Sequence, residues 1–209
     1  MPKILYLDKN IVVALKPSGY LSEGGGDRSF PDALAEEIGK EPLPVHRLDR
    51  DTEGIMVYAL DRASAADLSA QIQSDGWDKI YTAILCGAPA ENEGTLTDLL
   101  YYDRAKNKSF VVKKERKGVK SASLEYSALW TSEDNKRTAV RVKLHTGRTH
   151  QIRIQFASRG APLCGDRRYG APAESGSHPA LFATRLSFKH PKTHEQMEFE
   201  YTPELDEYK

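Results

Sequence analysis

Short apolar runs broken by polar or glycine-bearing turns set the rhythm of this chain. Residues Ile4 to Leu7 and Ile11 to Leu15 flank Asp8-Lys9-Asn10, a pattern that predicts a hairpin. Lys16-Pro17-Ser18-Gly19 ends it, and Glu23 to Asp27 reads as a loop. Ser29 to Ile38 predicts a helix with Pro31 in its first turn. Val45 to Leu48 is a brief extended approach to Gly54–Leu60, a run apolar enough for a buried strand. Asp61 then stands where it caps a helix over Arg62–Gln73, with Ala65, Leu68 and Ile72 on one face. Further strands are predicted at Lys79–Cys86, Thr95–Leu99, Ser109–Lys113, Ala122–Trp130, Thr138–Leu144 and Glu195–Tyr201. A helix begins near Thr149, with Ile152 and Phe156 as its apolar stripe. Strands outnumber helices without a regular strand–helix alternation. The pattern therefore implies an α+β fold around a largely antiparallel, mixed sheet with flanking helices.

Composition narrows the class. At 209 residues, 39% hydrophobic and 29% charged, the chain can bury its own core and has none of the polar excess of a disordered protein. It shows neither a long apolar span nor the apolar core of a signal peptide, so a cytoplasmic protein that does not enter a membrane is expected, most simply a monomer. Cys86 and Cys164 form no CxxC pair, so a disulfide framework and a cysteine zinc site are not expected.

Charge changes the picture when it is localised. Lys plus Arg number 30 and Asp plus Glu number 30, yet residues 101–170 hold 17 basic against 6 acidic residues, a net of +11, and the remainder a net of −11. The densest part runs from Arg104 to Lys120 around Phe110. It reads equally as a solvated hairpin or as a polyanion-binding segment.

Three constellations carry candidate chemistry. In His46-Arg47-Leu48-Asp49-Arg50-Asp51-Thr52-Glu53-Gly54 a carboxylate lies between two guanidinium groups, which keep it ionised as a nucleophile requires. An ordinary salt-bridged turn has the same composition, and His46 alone reads more readily as a hydrogen-bonded turn residue than as a catalyst. In Asp78-Lys79-Ile80-Tyr81-Thr82-Ala83, strand alternation puts Lys79, Tyr81 and Ala83 on one face. Tyr81 then offers either a stacking ring or a core side chain. In Gly147-Arg148-Thr149-His150-Gln151-Ile152-Arg153, Thr149 is placed to cap a helix whose first turn gathers Arg148, His150, Gln151 and Arg153, groups suited to phosphates or a carboxylate. His145 and His150 lack a third ligand at zinc spacing, so no metal is expected.

Taken in order, these segments resemble the RluA-type pseudouridine synthases. HRLDRDTEG is similar to that family's HRLD motif, KIYTA to its K-x-Y-x-A segment, and GRTHQIR with PLCGDRRYG to its third block. Leu181 to Pro191 resembles its closing L-x-A-x-x-L-x-F-x-H-P pattern. The resemblance implies a pseudouridine-synthase-type catalytic domain over 1–209, without an amino-terminal S4 domain. It implies isomerisation of uridine to pseudouridine in a tRNA or rRNA stem-loop, with no cofactor. Asp49 would be the nucleophile. Tyr81 would stack on the uracil and is a candidate for removing its C5 proton, and Arg153 would pair with Asp49. Arg47 would fill the space left by the flipped nucleotide, and Lys79, Arg148, His150 and Gln151 would face RNA. Glu53 departs from the family's usual serine and would either repel phosphate or pair with Arg50. A non-catalytic RNA-binding or ribosome-assembly factor of the same fold is the alternative, and a hydrolase using Asp49 with His46 a third.

Overall fold

The computed structural model describes residues 1–74 and 76–208. Its strands and helices, in chain order, begin with β1 (Lys3–Leu7), β2 (Ile11–Lys16), α1 (Phe30–Ile38), β3 (Leu43–Pro44), β4 (Glu53–Ala59) and α2 (Arg62–Gln73). They continue with β5 (Asp78–Cys86), β6 (Glu93–Asp103), β7 (Lys108–Val112), β8 (Val119–Thr131) and β9 (Arg137–Leu144). α3 (Gln151–Ala157), β10 (Leu181–Lys189) and β11 (Gln196–Glu200) complete the set. The fold is α+β, as the patterning implies, and the chain divides into two compact units, 1–79 with 182–203 and 80–181 with 204–209.

In the first unit the predicted β1–β2 hairpin forms because the Asp8 carboxylate accepts the backbone N–H groups of Asn10 and Ile11, both at 2.8 Å. β2 pairs antiparallel with β4, and β4 runs parallel to β10, which pairs antiparallel with β11. Ile11, Val13 and Leu15 of β2 join Ile55 and Val57 of β4, Leu68 of α2 and Phe188 of β10 in one core. On the alternate positions Tyr58 packs its ring against Phe30 of α1, with centroids 6.1 Å apart. Both sheet faces are therefore covered, which is why β2 and β4 read as continuous apolar runs rather than as alternating ones. The α2 cap is as predicted: Asp61 accepts the Ser64 N–H at 2.8 Å.

The second unit is an antiparallel sheet in the order β5-β9-β8-β6-β7. α3 packs on one face, with Phe156 edge-on to Tyr126 of β8 at 5.3 Å. One expectation changes. The helix starts at Gln151 and not at Thr149: His150, in the left-handed region at φ 55°, is its cap, and no side chain closes that end. The Thr149 carbonyl accepts the Ser109 hydroxyl at 2.6 Å, which ties the residue before the cap to β7. The basic stretch forms the β6–β7 hairpin, paired from Leu99↔Val112 to Asp103↔Lys108, with 104–107 and 113–118 exposed.

Candidate functional site

Asp49 lies half-buried in the turn between β3 and β4, and the chain around it is held by backbone contacts from the segment after β2. The Ser22 hydroxyl donates to the Leu48 carbonyl at 2.9 Å, and the Ser18 hydroxyl to the Asp51 carbonyl at 3.0 Å. The Gly19 N–H donates to the Arg50 carbonyl at 3.0 Å, and the turn closes on itself through Thr52 N–H to the Asp49 carbonyl at 3.0 Å. Arg50, predicted as an ion-pair partner, returns its Nε to the Gly19 carbonyl at 3.0 Å. Carbonyls on either side of Asp49 are thereby fixed.

Beneath this turn lies a residue that local pattern does not flag. Lys16 is fully buried, and its Nζ donates to the carbonyls of Pro17, Tyr20 and Arg50, each at 2.9 Å. Burial is the largest influence on it and lowers its pKa from 10.5 to about 8, against the opposing pull of Asp51, Asp49 and Glu53. At neutral pH the ammonium is retained. It is a buried cation satisfied by three dipoles and attended by acids of the turn.

The neighbours of Asp49 fall into distinct roles. His46 accepts the Val57 N–H through Nε2 at 3.1 Å and sets its ring edge-on to Trp77 at 5.1 Å. Burial, with the Lys79 charge second, drives its pKa down to about 3, so it is a neutral acceptor that orients β4. That is the turn-residue reading and not the hydrolase one. Arg47 is exposed, and Lys79 lies over the Trp77 ring at 5.5 Å. Gly54 has φ +135°, and a Cβ there would run into the Ala183 backbone of β10, so the glycine of the motif is set by the close parallel approach of β4 and β10. Glu53, the departure from the family pattern, is taken up by a short hydrogen bond from the Tyr201 hydroxyl rather than by Arg50.

In the second unit Tyr81 sits on β5, buried, opposite Val142 of β9. Arg153 on α3 is 5% exposed and is gripped in two places by Asp166, itself 1% exposed: Nε to Oδ2 at 2.6 Å and Nη2 to Oδ1 at 2.9 Å. This is the fork-to-fork geometry of a strong, oriented ion pair. The guanidinium also lies over the Tyr169 ring at 5.2 Å. The Tyr169 oxygen accepts the Ser109 N–H at 2.8 Å and shares a hydrogen bond with His150 Nδ1 at 2.9 Å. The Gln151 amide oxygen accepts the Thr146 hydroxyl at 2.8 Å and the Arg148 N–H at 3.0 Å. His150 and Gln151 are buried, whereas Arg148 spans the surface with Nε on the Ser121 carbonyl at 2.9 Å.

The candidate residues thus fall into two groups, Asp49, Arg47 and Lys79 in the first unit, and Tyr81, Arg148, His150, Gln151 and Arg153 in the second. Within the second group His150 and Arg153 both meet Tyr169, and Gln151 joins Arg148 and Thr146. Lys16, Asp166, Tyr169 and Tyr201 were not singled out by sequence. Asp166 and Tyr169 stand inside the GDRRYG segment, and their pairing with Arg153 and Ser109 has no periodic signature. Among the described residues no group of three His, Cys, Asp or Glu side chains could hold a metal ion.

Residues 10–158 match the RNA pseudouridylate synthase family, and the chain belongs to that family, in its RluA-type branch: it is an isomerase that converts uridine in RNA to pseudouridine. The chain is 35% identical to an uncharacterized RNA pseudouridine synthase of Aquifex aeolicus (strain VF5), over 94% of this chain and 68% of that protein. It is 34% identical to the dual-specificity RNA pseudouridine synthase RluA of Salmonella typhimurium, over 94% of this chain and 90% of the relative. Its fold superposes on human RNA Pseudouridylate Synthase Domain Containing 1 with a TM-score of 0.80, at 22% identity, over 98% of this chain and 84% of that one. No helix among the described residues is long and apolar enough to cross a membrane.

Proposed function

We propose that the protein acts on uridines of tRNA or rRNA stem-loops with Asp49 as its nucleophile, working as a cytoplasmic monomer in which both units serve one catalytic domain and no cofactor takes part. The observation that carries this reading is the Asp49 turn. The carbonyls of Leu48, Arg50 and Asp51 are fixed from the 16–22 segment around a half-buried Asp49, in the motif that the family match spans. A nucleophilic carboxylate needs an ionised state and a fixed position, and a clamped backbone supplies the second. In the reaction the N1–C1′ bond of uridine breaks, a C5–C1′ bond forms, and the C5 proton is lost while N1 gains one. Tyr81, on β5, supports the flipped uracil by stacking. Arg153, turned by Asp166, is the cation that serves Asp49.

The target base must leave its stack, and Arg47 takes the vacated space. Phosphate contacts come from Lys79, Arg148 and the basic β6–β7–β8 region, where Lys106 and Lys108 lie over Phe110 and Arg116 over Tyr101. His150 and Gln151 serve the same surface from below, by shaping the loop that presents Arg148.

Tritium release from RNA labelled at uridine C5 tests the reading. The wild-type chain should release tritium from a tRNA or rRNA stem-loop transcript. Asp49→Asn should lose at least ~10³-fold in rate while still binding RNA, since covalent catalysis has no substitute route. Turnover by Asp49→Asn at the wild-type rate would remove Asp49 from the chemistry. Salt-sensitive RNA binding with no tritium release from any cellular RNA would favour a non-catalytic binding factor.

A further inference from the structure

Two thiols that the proposed chemistry does not use face each other in the second unit. Cys86 ends β5, and Cys164 lies on the bend that delivers Asp166, with 2.8 Å between the two sulfurs. The backbone already clamps them. The bend runs antiparallel beside the end of β5, with Leu163 opposite Leu85. Cys86 N–H donates to the Pro162 carbonyl and Cys164 N–H to the Ile84 carbonyl, each at 2.8 Å. A disulfide requires the sulfurs at about 2.05 Å. Closing the pair therefore asks for less than an ångström of movement between segments held in register on both sides.

Access differs between the two. Cys164 is buried, and burial with the neighbouring Cys86 pushes its thiol pKa up. Cys86 is half-buried and lines an open recess of ≈ 500 Å³. Lys136, Arg137 and Glu174 share that recess, a charged lining suited to a small zwitterion carrying carboxylates and an amine. The two sulfurs thus form an outer thiol that a small molecule can reach and an inner thiol that can resolve the product.

We propose that Cys86 and Cys164 are a thiol–disulfide exchange site for a low-molecular-weight disulfide of the glutathione class. The Cys86 thiolate attacks one sulfur of the small disulfide, whose S–S bond breaks, and the departing thiolate takes up a proton. Cys164 then loses its proton and attacks the Cys86 sulfur. The internal disulfide forms and the second small thiolate leaves and is protonated. Two protein thiols are oxidised by two electrons, and one small disulfide is reduced to two thiols. The buried, poorly acidic Cys164 makes the second step the slower one. The product ties the bend carrying Asp166, and with it the grip on Arg153, covalently to the strand carrying Tyr81.

The test needs no RNA and stands apart from the catalytic reading. Native full-length protein is equilibrated with oxidised glutathione, quenched in acid, unfolded, alkylated with iodoacetamide and weighed intact. The expected product is lighter than the reduced chain by two hydrogens and loses both alkylation sites, and both return after dithiothreitol. Cys164→Ser should stop at one glutathione adduct on Cys86, and Cys86→Ser should gain none within the same time. Two alkylated cysteines after oxidation, or a lasting glutathione adduct on the wild-type chain without an internal bond, would overturn the proposal.

Discussion

The turn of the first unit and the bend of the second both place a charge beneath a surface, but they neutralise it in different ways. Under Asp49 the buried charge is Lys16, met by three neutral carbonyls and, at longer range, by the acids of the turn. Beneath the basic hairpin the buried charge is shared between Arg153 and Asp166, two ions in direct bidentate contact. Dipoles compensate a desolvated cation incompletely, which is why Lys16 loses part of its proton affinity. A paired ion is compensated locally, but each partner then depends on the other. The contrast predicts a second unit that fails sharply when one ion is deleted, and a first unit whose stability bends with pH.

The sharpest way to break the comparison is Asp166→Ala. It strands Arg153 at 5% exposure and should cost about 3–5 kcal/mol in urea unfolding, with the loss felt in the second unit. Replacing both ions, as Asp166→Leu with Arg153→Met, should recover much of that stability while leaving tritium release abolished. If Asp166→Ala costs no more than an exposed ion pair, below about 1 kcal/mol, the pair is not the internal support described.

His46 gives the next effect, and it depends on acid. Its native pKa of about 3 lies below the 6.5 of the unfolded chain, so between those values the unfolded state binds the proton and the native state does not. Stability from this group is full above pH 6.5 and is lost as pH falls toward 3. His46→Gln keeps an acceptor for Val57 N–H and does not titrate. Between pH 7 and pH 4 the wild type should therefore lose about 3 kcal/mol more than the variant, at roughly 1.4 kcal/mol per pH unit. Parallel pH profiles for the two proteins would show that His46 is not held neutral.

Much of this is legible in the amino-acid sequence. The apolar runs of β2 and β4, the Asp61 cap and the turn role of His46 follow from patterns within a few residues. The HRLDRDTEG and GRTHQIR segments indicate the family by their order along the chain. What stayed hidden is long-range. Lys16 reads as the end of a hairpin, and its function lies in reaching the Arg50 carbonyl. Gly54 reads as the first residue of a buried strand, and its need for glycine is set by Ala183 on β10, a strand that the periodicity does not announce because Arg185 and Lys189 interrupt it. Thr149 has the right residue type for a cap, but His150, in the left-handed region, takes that position. Asp166 carries no marker of its own, since its value lies entirely in the guanidinium it meets.

Lys16→Met sharpens the contrast from the other end of the pH scale. The variant leaves three carbonyls without their donor but also removes a desolvated charge, so at pH 7 it should cost only about 2 kcal/mol. Between pH 8 and 10.5 the native protein releases the Lys16 proton while the unfolded chain retains it. The wild type thus gains stability over that window relative to the variant, and the gap between them should widen. A gap that narrows would mean that the charge itself, and not the set of hydrogen bonds, supports the turn. The same substitution should lower the rate of tritium release more than RNA affinity, because it loosens the position of Asp49 rather than a phosphate contact.

The smallest expected effect tests how Glu53 is accommodated where the family usually has serine. The Tyr201 hydroxyl donates to its carboxylate and the Tyr201 N–H to the Thr184 carbonyl at 2.8 Å, so the residue after β11 closes over the first position of β4. Tyr201→Phe removes the donor and keeps the ring, and should cost about 1 kcal/mol, typical of a lost hydrogen bond to a half-buried charged partner. Glu53→Ser in the same background deletes the orphaned charge and should return most of that loss, a coupling that a double-mutant cycle reads directly. Because Glu53 adjoins Gly54, where β4 meets the β10 backbone, the tyrosine variant should also slow tritium release by a few-fold without changing RNA affinity. Unchanged stability in the single variant, together with no coupling in the cycle, would mean that the acid is tolerated by solvent alone and that the carboxyl-terminal strand has no part in setting the Asp49 turn.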